Sequence, residues 1–127
     1  MRIAAVGLEG DLAIPPAARG IVVFAHGSGS SRFSPRNQFV AGQLQQGGLA
    51  TLLLDLLTPA EARADAATGD LRFNLELLAE RLIAATDWLK ADRETRDLPA
   101  GYFGASTGGG AALIAAAQQA VVSARAA

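Results

Sequence analysis

At 127 residues the chain is long enough to bury a core and fits one domain, and it has no cysteine for a disulfide, a thiolate metal site or thiol nucleophilic chemistry. Half of the residues are apolar, the formal net charge is −1, and the 11 basic residues are scattered, so composition offers no surface for nucleic acid or an anionic membrane. The first residues, MRIAAVGLEGDLAIPP, break their apolar content with acidic residues and glycines where a signal peptide needs an unbroken run, which places the expected location in the cytoplasm.

In chain order, RIAAVGLEG and DLAI read as two strands joined by a tight turn at Glu9-Gly10. GIVVFAHG is a continuous apolar run rich in β-branched residues, as expected of a strand buried on both faces. SPRNQFVAGQLQQGG reads as a helix with Ser34 as N-cap, Pro35 in its first turn, and Gly47 and Gly48 closing it. LATLLLDLL is the next strand. Thr58 to Asp70, rich in charge and small residues, reads as a loop before a long helix on which Leu71, Leu75, Leu78, Leu82, Ile83 and Leu89 share a face. RETRD ends that helix, and AGYFGA, STGGGAALIAAAQQ and AVVSA follow as strand, helix and strand. The stretch from Leu98 to Ala124 carries no charge, but Pro99, the glycines at 108–110, Gln118 and Gln119 speak for a buried strand, turn and helix rather than a lipid-facing span. Strands alternating with helices predict an α/β fold: a mostly parallel sheet with helices on both faces, in a single domain over 1–127.

Two glycine-rich stretches carry the chemistry, each directly after an expected strand. GYFGASTGGGAAL contains G-x-S-x-G with Ser106 at its centre, the pattern of a strained strand-to-helix turn whose small flanking residues let backbones approach and leave the hydroxyl exposed. The helix beyond it directs free N–H groups and its positive end toward a developing oxyanion. FAHGSGSSR can supply a second backbone donor at Ser28, or at its neighbour Gly29, opposite the N–H of Thr107. His26 is the only histidine. It can brace the loop backbone it precedes or serve as a general base, and geometry decides between the two. Asp55, Glu61, Asp65 and Asp70 read as solvated charges or helix caps rather than as an acid orienting a base. The same HGSGSSR stretch could form a phosphate nest anchored by Arg32, but neither glycine-rich run matches the nucleotide-binding patterns.

VVFAHGSGSSRFSPRN, GLATLLLDLLT, RFNLELLAERL and LPAGYFGASTGGGAAL, in that order, resemble the α/β-hydrolase superfamily and within it the dienelactone hydrolase-like proteins. The resemblance spans nearly all of this chain and the first part of the family's domain, implying a truncated α/β-hydrolase fold. It further implies Ser106 as nucleophile, with the amides of Thr107 and of the Gly27 to Gly29 loop forming the oxyanion hole, and favours His26 as a brace of that loop's backbone over a general base. The family's acid and histidine would fall past AVVSARAA and have no counterpart here. The expected function is hydrolysis of a small carboxylic ester through a Ser106 acyl-enzyme with an incomplete triad, using no cofactor and no metal. The alternative is a non-catalytic binding or assembly module, or a minimal fragment, that keeps the elbow for packing. With Val121 and Val122 on an uncovered last strand, a homodimer or higher homo-oligomer is expected, with neither nucleic acid nor membrane as partner.

Overall fold

The computed structural model describes residues 2–4, 6–27, 30–71, 74–104 and 110–116. β1 (Arg2–Ile3) and β2 (Leu8–Ala13) form an antiparallel hairpin in which Ile3 faces Leu8. The hairpin turn closes where the Gly7 N–H donates to Ala4 O at 3.1 Å, with Gly7 at φ +80°, a backbone state open to glycine. This corrects the expected Glu9-Gly10 turn, since both residues lie inside β2. A Cβ at Gly10 would sit 2.9 Å from Ile3 Cγ1 and 3.2 Å from Leu52 Cδ1, so the glycine makes room for neighbours instead of bending the chain.

β3 (Ile21–Ala25), β4 (Ala50–Leu54) and β5 (Ala100–Gly104) complete a sheet of order β1-β2-β4-β3-β5. β4, β3 and β5 run parallel, while β2 joins β4 antiparallel. The expected parallel sheet is thus its central part, and the N-terminal hairpin extends it with an antiparallel margin.

Alternation along the strands feeds two apolar layers. Ile21, Val23 and Ala25 of β3 and Ala50, Leu52 and Leu54 of β4 point to one face, where Leu78, Leu82, Ala85 and Leu89 of α3 (Leu75–Ala91) and Ala111, Ala112 and Ala115 of a helical stretch, 110–116, cover them. Phe24 and Leu53 point to the other face and meet Ala41 of α1 (Pro35–Gln46). Helices therefore lie on both faces, as the pattern of the sequence predicts.

Local chemistry fixes the helix ends. Ser34 caps α1 by accepting the Asn37 N–H at 3.3 Å, and Gly47 closes it. The expected loop after β4 is instead α2 (Pro59–Thr68). Thr58 and Glu61 form a reciprocal capping box, Thr58 N–H to Glu61 Oε1 at 2.9 Å and Glu61 N–H to Thr58 Oγ1 at 3.2 Å, and Gly69 in the left-handed conformation stops the helix. Asn74 caps α3. Leu71 precedes that cap, while Leu78, Leu82 and Leu89 do face the core. The RETRD segment forms the turn after α3, where Thr95 is buried and donates through Oγ1 to Leu89 O at 2.5 Å. The expected strand AVVSA lies outside the described residues. Among the described residues no helix is long and apolar enough to cross a membrane.

Candidate active site

The parallel register brings Ala25, Leu54 and Gly104 level at the C-terminal ends of β3, β4 and β5. Whatever follows these three residues emerges along one edge of the sheet, the edge at which open α/β sheets place their ligands. His26 and Gly27 follow β3, Asp55 and Leu56 follow β4, and the G-x-S-x-G motif begins at Gly104 itself. Its neighbours are as the motif requires, a strand ending at Gly104 and a helix over 110–116. Ser106 and Thr107, read as nucleophile and oxyanion donor, and Ser28 and Gly29, read as the second donor, lie outside the described residues.

What the structure does define is how the chain leaving β3 is tied to the end of β4. The Leu56 N–H donates to His26 Nε2 at 3.0 Å, and His26 Nδ1 lies 2.9 Å from Gly27 O. An amide can only donate and a carbonyl can only accept, so the ring is the tautomer with its proton on Nδ1. Both nitrogens are then engaged, and the Nε2 lone pair that a general base would need is pointed at Leu56. Five residues further on, Asp55 holds the same segment a second time. Its Oδ1 accepts the backbone N–H of Arg32 at 2.6 Å and its Oδ2 accepts Arg32 Nη1 at 2.5 Å. Arg32 Nε stands 3.3 Å from Asp11 Oδ2 without the alignment of a hydrogen bond, and the guanidinium lies over the Phe33 ring, 4.3 Å from its centre. A cavity of about 210 Å³ opens beside this double tie, lined by Glu9, His26, Ser30, Ser31, Arg32, Asp55 and Leu57 and by Pro59 and Ala62 of α2.

These contacts correct two readings. Asp55 is an ion-pair partner rather than a solvated charge, and Asp65 is buried, accepting the Leu71 N–H at 2.7 Å through Oδ1. Arg32, considered as a phosphate anchor, is spent on two carboxylates. Glu61 receives both Nη1 and Nη2 of Arg81, at 2.6 and 2.7 Å, and these bonds outweigh its partial burial to hold its carboxyl down to about 2. Sequence reasoning missed this pair, although the T-x-x-E spacing of its capping box was visible. On the sheet face toward α3, the hydroxyls of Tyr102 on β5 and Thr86 on α3 meet at 2.7 Å. Thr86 spends its one proton on Leu82 O at 2.8 Å, so Tyr102 is the donor to Thr86. A second hollow, about 530 Å³, flanks β5 and is lined by small and apolar residues including Gly101, Gly104, Ala112 and Leu113.

No family model matches the chain. Two Mycobacterium tuberculosis proteins, one from each of two strains and both provisionally named phosphoribosyl transferase, are 58% identical over 112 residues, covering 88% of this chain and 24% of theirs. A dienelactone hydrolase from Anabaena variabilis superposes with a TM-score of 0.89 at 59% identity, over 93% of this chain and 56% of its own. Est1E from Butyrivibrio proteoclasticus superposes at 0.74 with 22% identity, over 94% of this chain and 45% of its own, a likeness of fold alone. The chain thus spans about a quarter of the length of the curated relatives it matches and a little over half of the dienelactone hydrolase. Its architecture is the mixed α/β fold of dienelactone hydrolase-like α/β-hydrolases.

Proposed function

We propose that the chain carries the nucleophile half of a serine-dependent carboxylic ester hydrolase. The observation that carries this reading is the likeness to a dienelactone hydrolase at 59% identity over 93% of this chain, with β5 and the 110–116 helix flanking the serine pattern. In this reading Ser106 Oγ attacks the ester carbonyl carbon, the amides of Thr107 and Ser28 stabilise the oxyanion, the alkoxide leaves, and water cleaves the acyl-serine. Both nitrogens of His26 are engaged, so His26 is not the base that takes the serine proton. Assayed on these 127 residues alone, turnover should be slow and restricted to esters with good leaving groups, within the roughly 10³ to 10⁴ over water that oxyanion stabilisation and binding retain without a paired base.

The name of the Mycobacterium relatives supports a second reading, phosphoribosyl transfer. It is the weaker one. The shared residues cover 24% of those proteins, and Arg32, the cation beside the glycine-rich stretch, already serves Asp55 and Asp11. A p-nitrophenyl acetate assay of the wild type against Ser106→Ala separates these readings from a non-catalytic module. Turnover lost in the variant supports the hydrolase, and equal rates in both sink it.

A further inference from the structure

We infer that Asp55 is a positioning residue for the Ser106 chemistry, gripping Arg32 so that the connection leaving β3 is fixed at its far end while His26 fixes its near end. The inference deepens the hydrolase reading and rests on it. The connection between those ends reads GSGSS, Gly27 to Ser31, and its sequence offers no apolar side chain to a core. Backbone donors that act on an oxyanion must be held within a fraction of an ångström. The structure supplies the restraint from outside. Leu56 N–H binds His26 on one side, and Asp55 takes both the backbone N–H and the guanidinium of Arg32 on the other, so two adjacent residues after β4 set the span. Between them, Ser30 N–H folds back onto Gly27 O at 3.1 Å. Gripping backbone as well as side chain is what distinguishes Asp55 from an ordinary surface ion pair, since the main-chain bond dictates where residue 32, and hence the segment before it, must lie.

Asp55→Ala and the milder Asp55→Asn, which keeps an oxygen for the Arg32 N–H, test this by amide hydrogen exchange and by steady-state ester kinetics on the full chain. In Asp55→Ala, exchange at Arg32 and Ser30 should rise about tenfold or more, while Leu56, held by His26, and the buried turns of α3 stay within about twofold. The kcat for an activated ester should fall about tenfold or more with KM within about threefold, and Asp55→Asn should recover part of both effects. A fall in KM-linked binding alone, unchanged exchange at Arg32 and Ser30, or released exchange with unchanged kcat each overturns the proposal. If Ser106→Ala and wild type turn over equally, the acyl-serine reading fails separately, and Asp55's hold on this connection is decided by the exchange data.

Discussion

The two faces of the sheet are built differently. The face toward α3 and the 110–116 helix is a continuous apolar layer, with Val23, Leu52, Leu54, Leu82 and Leu89 all but fully buried. The face toward α1 is thinner. Phe24, Leu53 and Ala41 form its buried centre, helped by a Gln45 to Thr51 side-chain bond at 2.8 Å and by the tilted Phe24–Phe103 ring pair, 5.2 Å apart. Phe39 on α1 is 68% exposed and Phe33 just before it 58%. Burial scales with apolar area removed from water, so stability is concentrated on the α3 face. The Arg32–Asp55 tie and the Leu56 to His26 bond add polar contacts where β3 and β4 end.

The largest expected effect tests that concentration. Leu82→Ala removes a fully buried side chain at the centre of the α3 layer and should cost about 2 to 5 kcal/mol. Leu44→Ala, on the half-buried side of α1, should cost about 1 kcal/mol, because the site can relax into solvent. Chemical denaturation of both variants measures the difference directly. Equal losses would mean that the two layers share the load.

The polar links laid over the α3 side give a smaller, pH-dependent signal. Glu61 is held at about 2 from an ordinary 4.5, first by the Arg81 hydrogen bonds and further by Thr58. A carboxyl depressed in the folded state contributes its full stabilisation above the unfolded value and loses it as pH falls from about 4.5 through about 2. Melting temperatures followed over this window should fall more steeply for wild type than for Glu61→Gln, so the gap between them narrows as acid is added. At neutral pH the variant should be less stable by about 1 kcal/mol, the usual scale of a cap combined with a well-aligned ion pair. Parallel curves would assign the acid sensitivity to other carboxyls.

How far the sequence discloses all this depends on the range over which each feature is decided. α1 is legible because Ser34, Pro35 and Gly47 act within a turn of where they stand. The leucines of α3 repeat with the helical period and face the core that the period implies. α2 escapes a search for periodicity because only Asp65 is buried along it, although Thr58 and Glu61 announce its start. Gly10 misleads because its reason lies across the hairpin and the sheet, in Ile3 and Leu52, rather than beside it. The site divides in the same way. The strand before Gly104 and the helix after it follow from local pattern, whereas the Arg32–Asp55 bond joins residues 23 apart and exists only because β3 and β4 align Ala25 with Leu54.

The smallest expected effect lies in a hydroxyl relay on the α3 face. Tyr102 donates to Thr86, which donates to Leu82 O, so β5 is stitched to α3 by a chain whose order is fixed by the one proton each hydroxyl owns. Tyr102→Phe leaves the ring in place and removes the first link, leaving Thr86 with an unmet acceptor, and should cost about 0.5 kcal/mol at neutral pH, the low end for a half-buried hydrogen bond. Burial pushes the Tyr102 phenol above its ordinary value of 10.0, and the nearby Asp87 charge adds to the rise. A group whose folded value is raised contributes stability that is complete below the unfolded value and fades as pH climbs through the folded one. Wild type should therefore lose stability above about pH 10, where the unfolded phenol ionises first, and Tyr102→Phe should lose less over the same range. The chain has one tyrosine, so an ultraviolet absorbance titration reports this residue alone. A phenol that ionises at the value of a free tyrosine, or a variant whose alkaline limb matches wild type, would show that β5 is held to α3 by packing without the relay.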